Sequence, residues 1–520
     1  MQRQEIERLA AGALMVGFPG TQIPDELIRR GVRNFILFAR NIGSAGEVRT
    51  LTTALRAQAG DDALIAIDHE GGRVNRLAAS GAATQFPSAM AWAATGDVEI
   101  VRTASAATAS ELRSLGINVN FAPVVDLLAN HRNPALGTRC FSDDPDLTAR
   151  FGAAYVAGHR EAGVASTAKH FAGHGATPID SHVDLPEISK SIELIRAEDL
   201  VPFTAAVTAG AEAIMVSHAW YPVLDPEPLP ATVSPAVAGL AREIGGDETV
   251  IVTDCMEMGA VQNRMTTGEA AVRALAAGVD LVLISHTAEL QQEALDAVIR
   301  AVESGDLPCE RLEEANRRLD TLRYRLSVNG RDSGGGPEAA REIARRAVTL
   351  VKDEAGLLPL SSDQPLAVVT FASMAASVVE GPKAIRRPAL PGAVAARHRH
   401  AHLVAVEPGM DVGDVLAALK GIETVLVGTA FATGRPVQAD VVRALLAAGK
   451  RVVVVALADP FDLLSFPEVP TYLVSYDDTA PMLDATLDVL FGMRPAQGVL
   501  PVDLPGLYPR GTGKRAAAHH

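Results

Sequence analysis

Eight short apolar runs, alternating with amphipathic stretches as far as residue 330, predict an α/β protein: an N-terminal (β/α)8 barrel of the TIM type, then a smaller α/β sandwich domain. A doubly wound sheet gives a similar rhythm. The barrel is favoured because there are eight β-then-α units and because polar residues follow the ends of several different runs. Asp68, Asp126, Lys169, His170, His218 and Asp254 all sit there. In a barrel such ends converge on one rim, so a single pocket gathers side chains far apart in sequence.

The runs are 13–18, 33–38, 63–68, 117–122, 164–168, 212–217, 249–254 and 279–284. Helical patterns fill the gaps at 44–58, 100–115, 147–162, 199–209 and 267–277. The Gly-rich stretch NGRDSGGGPEAAR, 329–341, breaks the rhythm and reads as a linker. Strand-like runs resume at 366–371, 403–406, 424–428, 452–457 and 471–475. The expected organisation is therefore a catalytic barrel at 1–330, a linker at 331–337, a sandwich at 338–506 and a tail at 507–520, with the terminal AAAHH a frayed end.

With 520 residues, of which 48% are hydrophobic, the chain has ample apolar mass for two cores. A net charge of −15 argues against nucleic acid and against anionic membrane surfaces as partners. Cys140, Cys255 and Cys309 are an odd number in a long chain, which suggests reduced thiols. The N-terminus lacks a basic start, a clean apolar run and a cleavage site, and no segment is long enough to span a bilayer. The expectation is a soluble, cytoplasmic protein. Its oligomeric state is not readable from the sequence.

The stretch KHFAGHGATPIDSHVDLP, 169–186, carries Lys169, His170, His174, Asp180, His182 and Asp184, interrupted by Gly173, Gly175 and Pro178. That many polar groups are costly to bury unpaired, so the stretch reads as an active-site loop. In an extended segment Asp180 and His182 share a side, and the carboxylate can orient one ring nitrogen while the other transfers a proton. An Asx-turn beside a solvated histidine fits the same spacing. His170, His174 and His182 on zinc is a third reading, weakened by the lack of an HExxH pattern or a cysteine pair; no metal and no cofactor is expected.

Asp254 ends the run TVIVTD and faces a barrel rim, where a carboxylate can attack a sugar C1 or accept a proton. A helix N-cap accounts for it equally well. In IDHEGGRVNRL, 67–77, Asp68 can accept from sugar hydroxyls and Arg76 can donate to them, while Arg73 reads as a structural ion pair. Arg139, in a Pro/Gly-rich loop, fits either a ligand contact or a loop-fixing salt bridge. Cys140 and Cys255 adjoin these residues, and small buried thiols are the simpler reading.

Taken together, IDHEGGRVNRL, NFAPVVDL, GTRCFSDDP, KHFAGHG, DSHVDLP, SHAWYP and VTDCMEMGAV, in that order, resemble glycoside hydrolase family 3, in its bacterial β-N-acetylglucosaminidase branch. REIARRAVTLVKDEAGLLPL and GVLPVDLP resemble the start and end of that family's sandwich domain. The resemblance implies a retaining exo-acting β-N-acetylglucosaminidase working on a small saccharide derived from cell-wall muropeptides. It implies Asp254 as nucleophile and His182 as acid/base held by Asp180, with Asp68, Arg76, Arg139, Lys169 and His170 binding the sugar. Two departures stand out: Ala172 replaces the family's usual proline, and Cys255 follows the nucleophile. The rivals are a β-glucosidase or glycoside phosphorylase and, in another class, a non-catalytic sugar-binding protein.

Overall fold

In the computed structural model, residues 2–177, 179–328, 330–374 and 385–514 are described; Pro178 and the terminal AAAHH lie outside them. The barrel strands are β1 (Leu14–Val16), β2 (Asn34–Leu37), β3 (Leu64–Ile67), β4 (Val119–Asn120), β5 (Ala165–Phe171), β6 (Ala213–Val216), β7 (Val250–Thr253) and β8 (Val282–Ile284). They form one sheet in the order β8-β1-β2-β3-β4-β5-β6-β7, with every pairing parallel. A parallel bridge between Val252 and Leu281 closes the ring. The doubly wound alternative is excluded.

The runs read as continuously apolar because each strand is buried on both faces. Met15, Ile36, Leu64, Ala66, Met215, Val252 and Leu283 fill the barrel interior. Their neighbours Leu14, Val16, Phe35, Ile65, Ile214 and Ile251 pack outward under the helices. Leu319 and Leu322, from the helix Cys309–Val328, close the interior at one end, and Cys255 and Met258 cap the other. One boundary departs from expectation. The fifth strand runs on through Lys169, His170 and Phe171, because Pro123, Val125 and Ser217 on the neighbouring segments supply ladder partners. Those residues are strand, not loop, and Lys169 and His170 are buried.

The second domain is a six-stranded sheet between helices. Its strands are β9 (Thr349–Asp353), β10 (Leu366–Phe371), β11 (Ala401–Val406), β12 (Thr424–Thr429), β13 (Arg451–Ala456) and β14 (Thr471–Val474), in the order β9-β14-β13-β12-β10-β11. Among the described residues only β9 is antiparallel to its neighbour in that sheet. The polar ending of TLVKD hid β9 from a reading by apolar runs. The helix Gly336–Ala347 begins inside the stretch expected to be linker, with Pro337 in its first turn where no amide is missed. Ala340 and Ile343 of that helix pack into a barrel-side cluster, Ala344 and Ala347 into the core of the second domain. The stretch expected as a tail is tied down: Lys514 donates its amide to Leu350 at 2.8 Å, and the Thr512 carbonyl accepts from Leu500 at 2.8 Å. Among the described residues no helix is long and apolar enough to cross a membrane.

Candidate functional site

Asp68, Arg76, Arg139, Lys169, His170, His182 and Asp254 line one cavity of about 510 Å³ at the rim where the barrel strands end. Asp180 stands directly behind His182. All eight sequence candidates therefore meet at one place. Met215, Cys255, Met258 and Leu283 give the cavity an apolar floor.

Asp254 follows β7 at the rim. It does not cap a helix, because the next one begins at Gly259 with Met258 as its cap residue. Its Oδ1 instead accepts the Cys255 amide at 2.7 Å. Burial opposes ionisation of the carboxyl, but the imidazoles of His218, His170 and His182 and the Cys255 amide outweigh it and bring the pKa down to about 2. His218 serves from behind: it contacts the Cys255 carbonyl through Nε2 at 2.8 Å and Thr232 Oγ1 through Nδ1 at 2.9 Å. A carbonyl only accepts, so Nε2 carries a proton.

Asp180 and His182 lie in a turn rather than in an extended segment. Asp180 Oδ1 accepts the His182 amide at 2.9 Å and faces His182 Nδ1 at 2.7 Å. The Asx-turn and the acid–imidazole pair, set against each other on spacing, are one structure. Burial pushes the Asp180 carboxyl up, and the bond from His182 more than offsets it, so its pKa is lowered. The ionised carboxylate can only accept; Nδ1 carries the proton and Nε2 is left to give and take one. The turn is fastened to the segment after Asp254, with the amides of Gly259 and Ala260 donating to the carbonyls of His182 and Ser181 at 3.2 and 3.1 Å.

On the other side of the cavity, Lys169 Nζ lies 2.8 Å from Asp68 Oδ1 and 2.6 Å from Glu70 Oε1. Arg139 grips Glu70 with two bonds, Nε to Oε2 at 2.8 Å and Nη2 to Oε1 at 2.9 Å. Burial pushes the Glu70 carboxyl up, but Arg139 and Lys169 outweigh it and hold its pKa far below the carboxylate range. Arg139 is thus both a cavity residue and half of a buried ion pair. His170 is oriented by Asp126, Nδ1 to Oδ2 at 2.7 Å, and Asp126 also accepts the His170 and His174 amides at 3.0 and 2.6 Å.

Glu70, Asp126 and His218 are polar residues of this site to which the sequence assigns no part. Glu70 was detectable as an acid two positions beyond Asp68, in a motif otherwise rich in cations. His174 turns towards Ser181, Nε2 to Oγ at 3.2 Å, so the three histidines do not converge. Among the described residues no group of three metal-ligating side chains is placed to hold an ion. Arg73 points away from the cavity and stacks on Phe431 of the second domain, 4.5 Å from the ring centre. Cys140 and Cys255 are both buried, the latter in the cavity floor.

An ionised carboxylate and an acid-backed imidazole facing one sugar-sized pocket on the rim of a (β/α)8 barrel fit the class of barrel enzymes that act on glycosides. The Glycosyl hydrolase family 3 N terminal domain matches residues 6–322. The chain belongs to glycoside hydrolase family 3. It is 39% identical over 297 residues to a beta-hexosaminidase of Xanthomonas oryzae pv. oryzae, covering 55% of this chain and 86% of that protein. It is 34% identical over 380 residues to beta-hexosaminidase A of Pseudoalteromonas piscicida, covering 65% and 63%. Among solved structures, a family 3 beta-N-acetylglucosaminidase from Paenibacillus sp. str. FPU-7 superposes with a TM-score of 0.89 at 35% identity, covering 96% of this chain and 98% of that one. The beta-glucoside phosphorylase BglX shares the fold, with a TM-score of 0.79 at 22% identity.

Proposed function

We propose that the protein is a retaining, exo-acting β-N-acetylhexosaminidase that releases terminal N-acetylglucosamine from cell-wall-derived saccharides in the cytoplasm. The observation that carries this reading is the pairing of an ionised Asp254 with the His182–Asp180 couple in one pocket. Asp254 attacks the anomeric carbon while His182 Nε2 gives its proton to the leaving oxygen, forming a covalent glycosyl-aspartate. Nε2, now bare, takes a proton from the incoming water, which displaces Asp254 and returns the site to its starting state. Asp68, Arg76, Arg139, Lys169 and His170 hold the sugar hydroxyls, and the N-acetyl group acts in selection, since Asp254 is the nucleophile. The 39% and 34% identical beta-hexosaminidases and the Paenibacillus beta-N-acetylglucosaminidase support the choice of hexosaminide over glucoside. In this reading the catalytic unit is 1–330 and the sandwich 338–506.

The test is a panel of chromogenic β-glycosides, assayed with and without phosphate. The N-acetylglucosaminide is expected to outrun the glucoside; the reverse order overturns the substrate assignment. An activated fluorosugar is expected to label Asp254, and a label on any other carboxylate removes it as nucleophile. Sugar 1-phosphate is expected as a minor product. A carboxylate acid/base turns anionic after giving its proton and repels phosphate by roughly 4 kcal/mol at about 4 Å in a surface-like dielectric. Neutral His182 lacks that barrier. Sugar 1-phosphate as the main product makes the protein a phosphorylase, and binding without turnover of any glycoside makes it a sugar-binding protein.

A further inference from the structure

Phe431 and Tyr476 are the two non-glycine residues with left-handed backbone among the described residues, at φ 55° and 63°. Such a conformation is unfavourable for a bulky side chain and persists where the surroundings enforce it. Both residues follow parallel strands of the second domain, β12 and β14, at the carboxyl edge where open α/β sheets commonly receive a ligand. Here that edge receives loops of the barrel. The Phe431 ring stacks under Arg73, and a methyl group built on Gly137 meets Phe431 Cε1 at 3.6 Å. Beside Tyr476, Asp477 Oδ2 accepts the Ser88 amide at 2.7 Å, and the Tyr476 carbonyl accepts the Ser88 hydroxyl at 3.3 Å. Ser88 in turn backs the Gly71–Gly72 turn so closely that a methyl group on Gly72 comes within 2.7 Å of Ser88 Cβ.

These two contacts bear on the two segments that deliver the sugar cluster. Arg73 and the Gly71–Gly72 turn belong to the hairpin His69–Asn75, which carries Glu70 and leads to Arg76. Gly137 opens the short helical turn that carries Arg139. We infer that the second domain is a positioning element of the sugar site, a two-point clamp in which Phe431 and the Tyr476–Asp477 turn fix the Glu70–Arg139 pair from behind. Phe431 acts through Arg73 and Gly137. The inference rests on the reading that this cluster binds the sugar, and on no assignment of nucleophile or acid.

The test compares Phe431→Ala, Phe431→Gly and Phe431→Tyr in the full chain. KM is read with the chromogenic N-acetylglucosaminide, and Kd by calorimetry with free N-acetylglucosamine. Phe431→Ala is expected to raise both by about tenfold, the scale of a small misplacement of binding groups, with kcat less affected and the pH limbs unmoved. Phe431→Gly relieves the backbone strain, so it is expected to melt no lower than the parent while showing the same loss of affinity. Phe431→Tyr keeps the ring and is expected to restore both constants. Parent-like KM and Kd in folded Phe431→Gly, or a loss that tyrosine does not rescue, overturns the inference. Because Kd is read with the free sugar, a parent that binds it without cleaving glycosides sinks the hydrolase reading and leaves the clamp to be decided by the same three variants.

Discussion

Asp254 and His182 divide the chemistry because their surroundings differ. Asp254 has three imidazoles and an amide around it and is ionised down to about pH 2. Its folded value lies below the ordinary carboxylate range. The stability it contributes is therefore present above that range and is lost as the pH falls through about 2. Acid-side loss of activity at milder pH is therefore not expected to arise from Asp254. Asp180→Asn is expected to give a partial loss of kcat/KM together with a displaced limb in the pH–rate profile. An unmoved limb assigns Asp180 to folding the turn alone. His182→Ala is expected to cost about 10²–10⁴ in rate on natural glycosides and far less on substrates with very good leaving groups. Equal losses on both kinds of substrate mean that His182 binds rather than donates.

At the scale of elements, the turn that carries His182 is held by its neighbour across the rim. Gly259 leaves room for this: a methyl group there meets the Val183 carbonyl oxygen at 2.5 Å and that of His182 at 2.8 Å. Arg264 adds a salt bridge to Asp184 at 3.0 Å. Gly259→Ala is expected to displace the Asp180–Asp184 turn and to reproduce the His182 signature, slow on natural glycosides and nearly normal on activated ones, with little change in thermal midpoint. Identical losses on both classes sink this account. Elements of this kind differ in how far sequence discloses them. The barrel strands were legible because burial on both faces writes an uninterrupted apolar run. β5 was cut short at Ala168, since Lys169 and His170 belong to the ladder yet spend their side chains on Asp68, Glu70 and Asp126. The Asp180–His182 spacing of two fits an acid–imidazole pair and an Asx-turn alike, and only the folded turn, which makes both bonds at once, joins them. Glu70 and Asp126 escaped because each is defined by partners far away in sequence, and a carboxylate's partner is not written beside it. Phe431 escaped more completely, for a left-handed phenylalanine has no local signature.

The whole molecule is welded across its two domains. The core of the second domain takes in Met90, Ala91, Ala94, Val124, Leu128, Leu136 and Cys140 from the barrel side. Polar contacts continue the seam: Arg510 pairs with Asp143 at 2.6 Å and Asp144 at 3.0 Å, and the Phe461 ring lies 5.2 Å from that of His131. The segment sealed this way, from Val124 to Asp144, is the one that supplies Arg139 and, through Asn133 to the His174 carbonyl at 3.0 Å, steadies the loop leading to His182. A barrel cut free at residue 330 uncovers that apolar seam and releases those loops. The excised 1–330 fragment is expected to keep its α/β circular dichroism where it stays in solution, to self-associate in sedimentation, and to bind N-acetylglucosamine far more weakly than the full chain. A monodisperse fragment with the parent's KM shows that the barrel completes its own site and that the second domain serves another purpose.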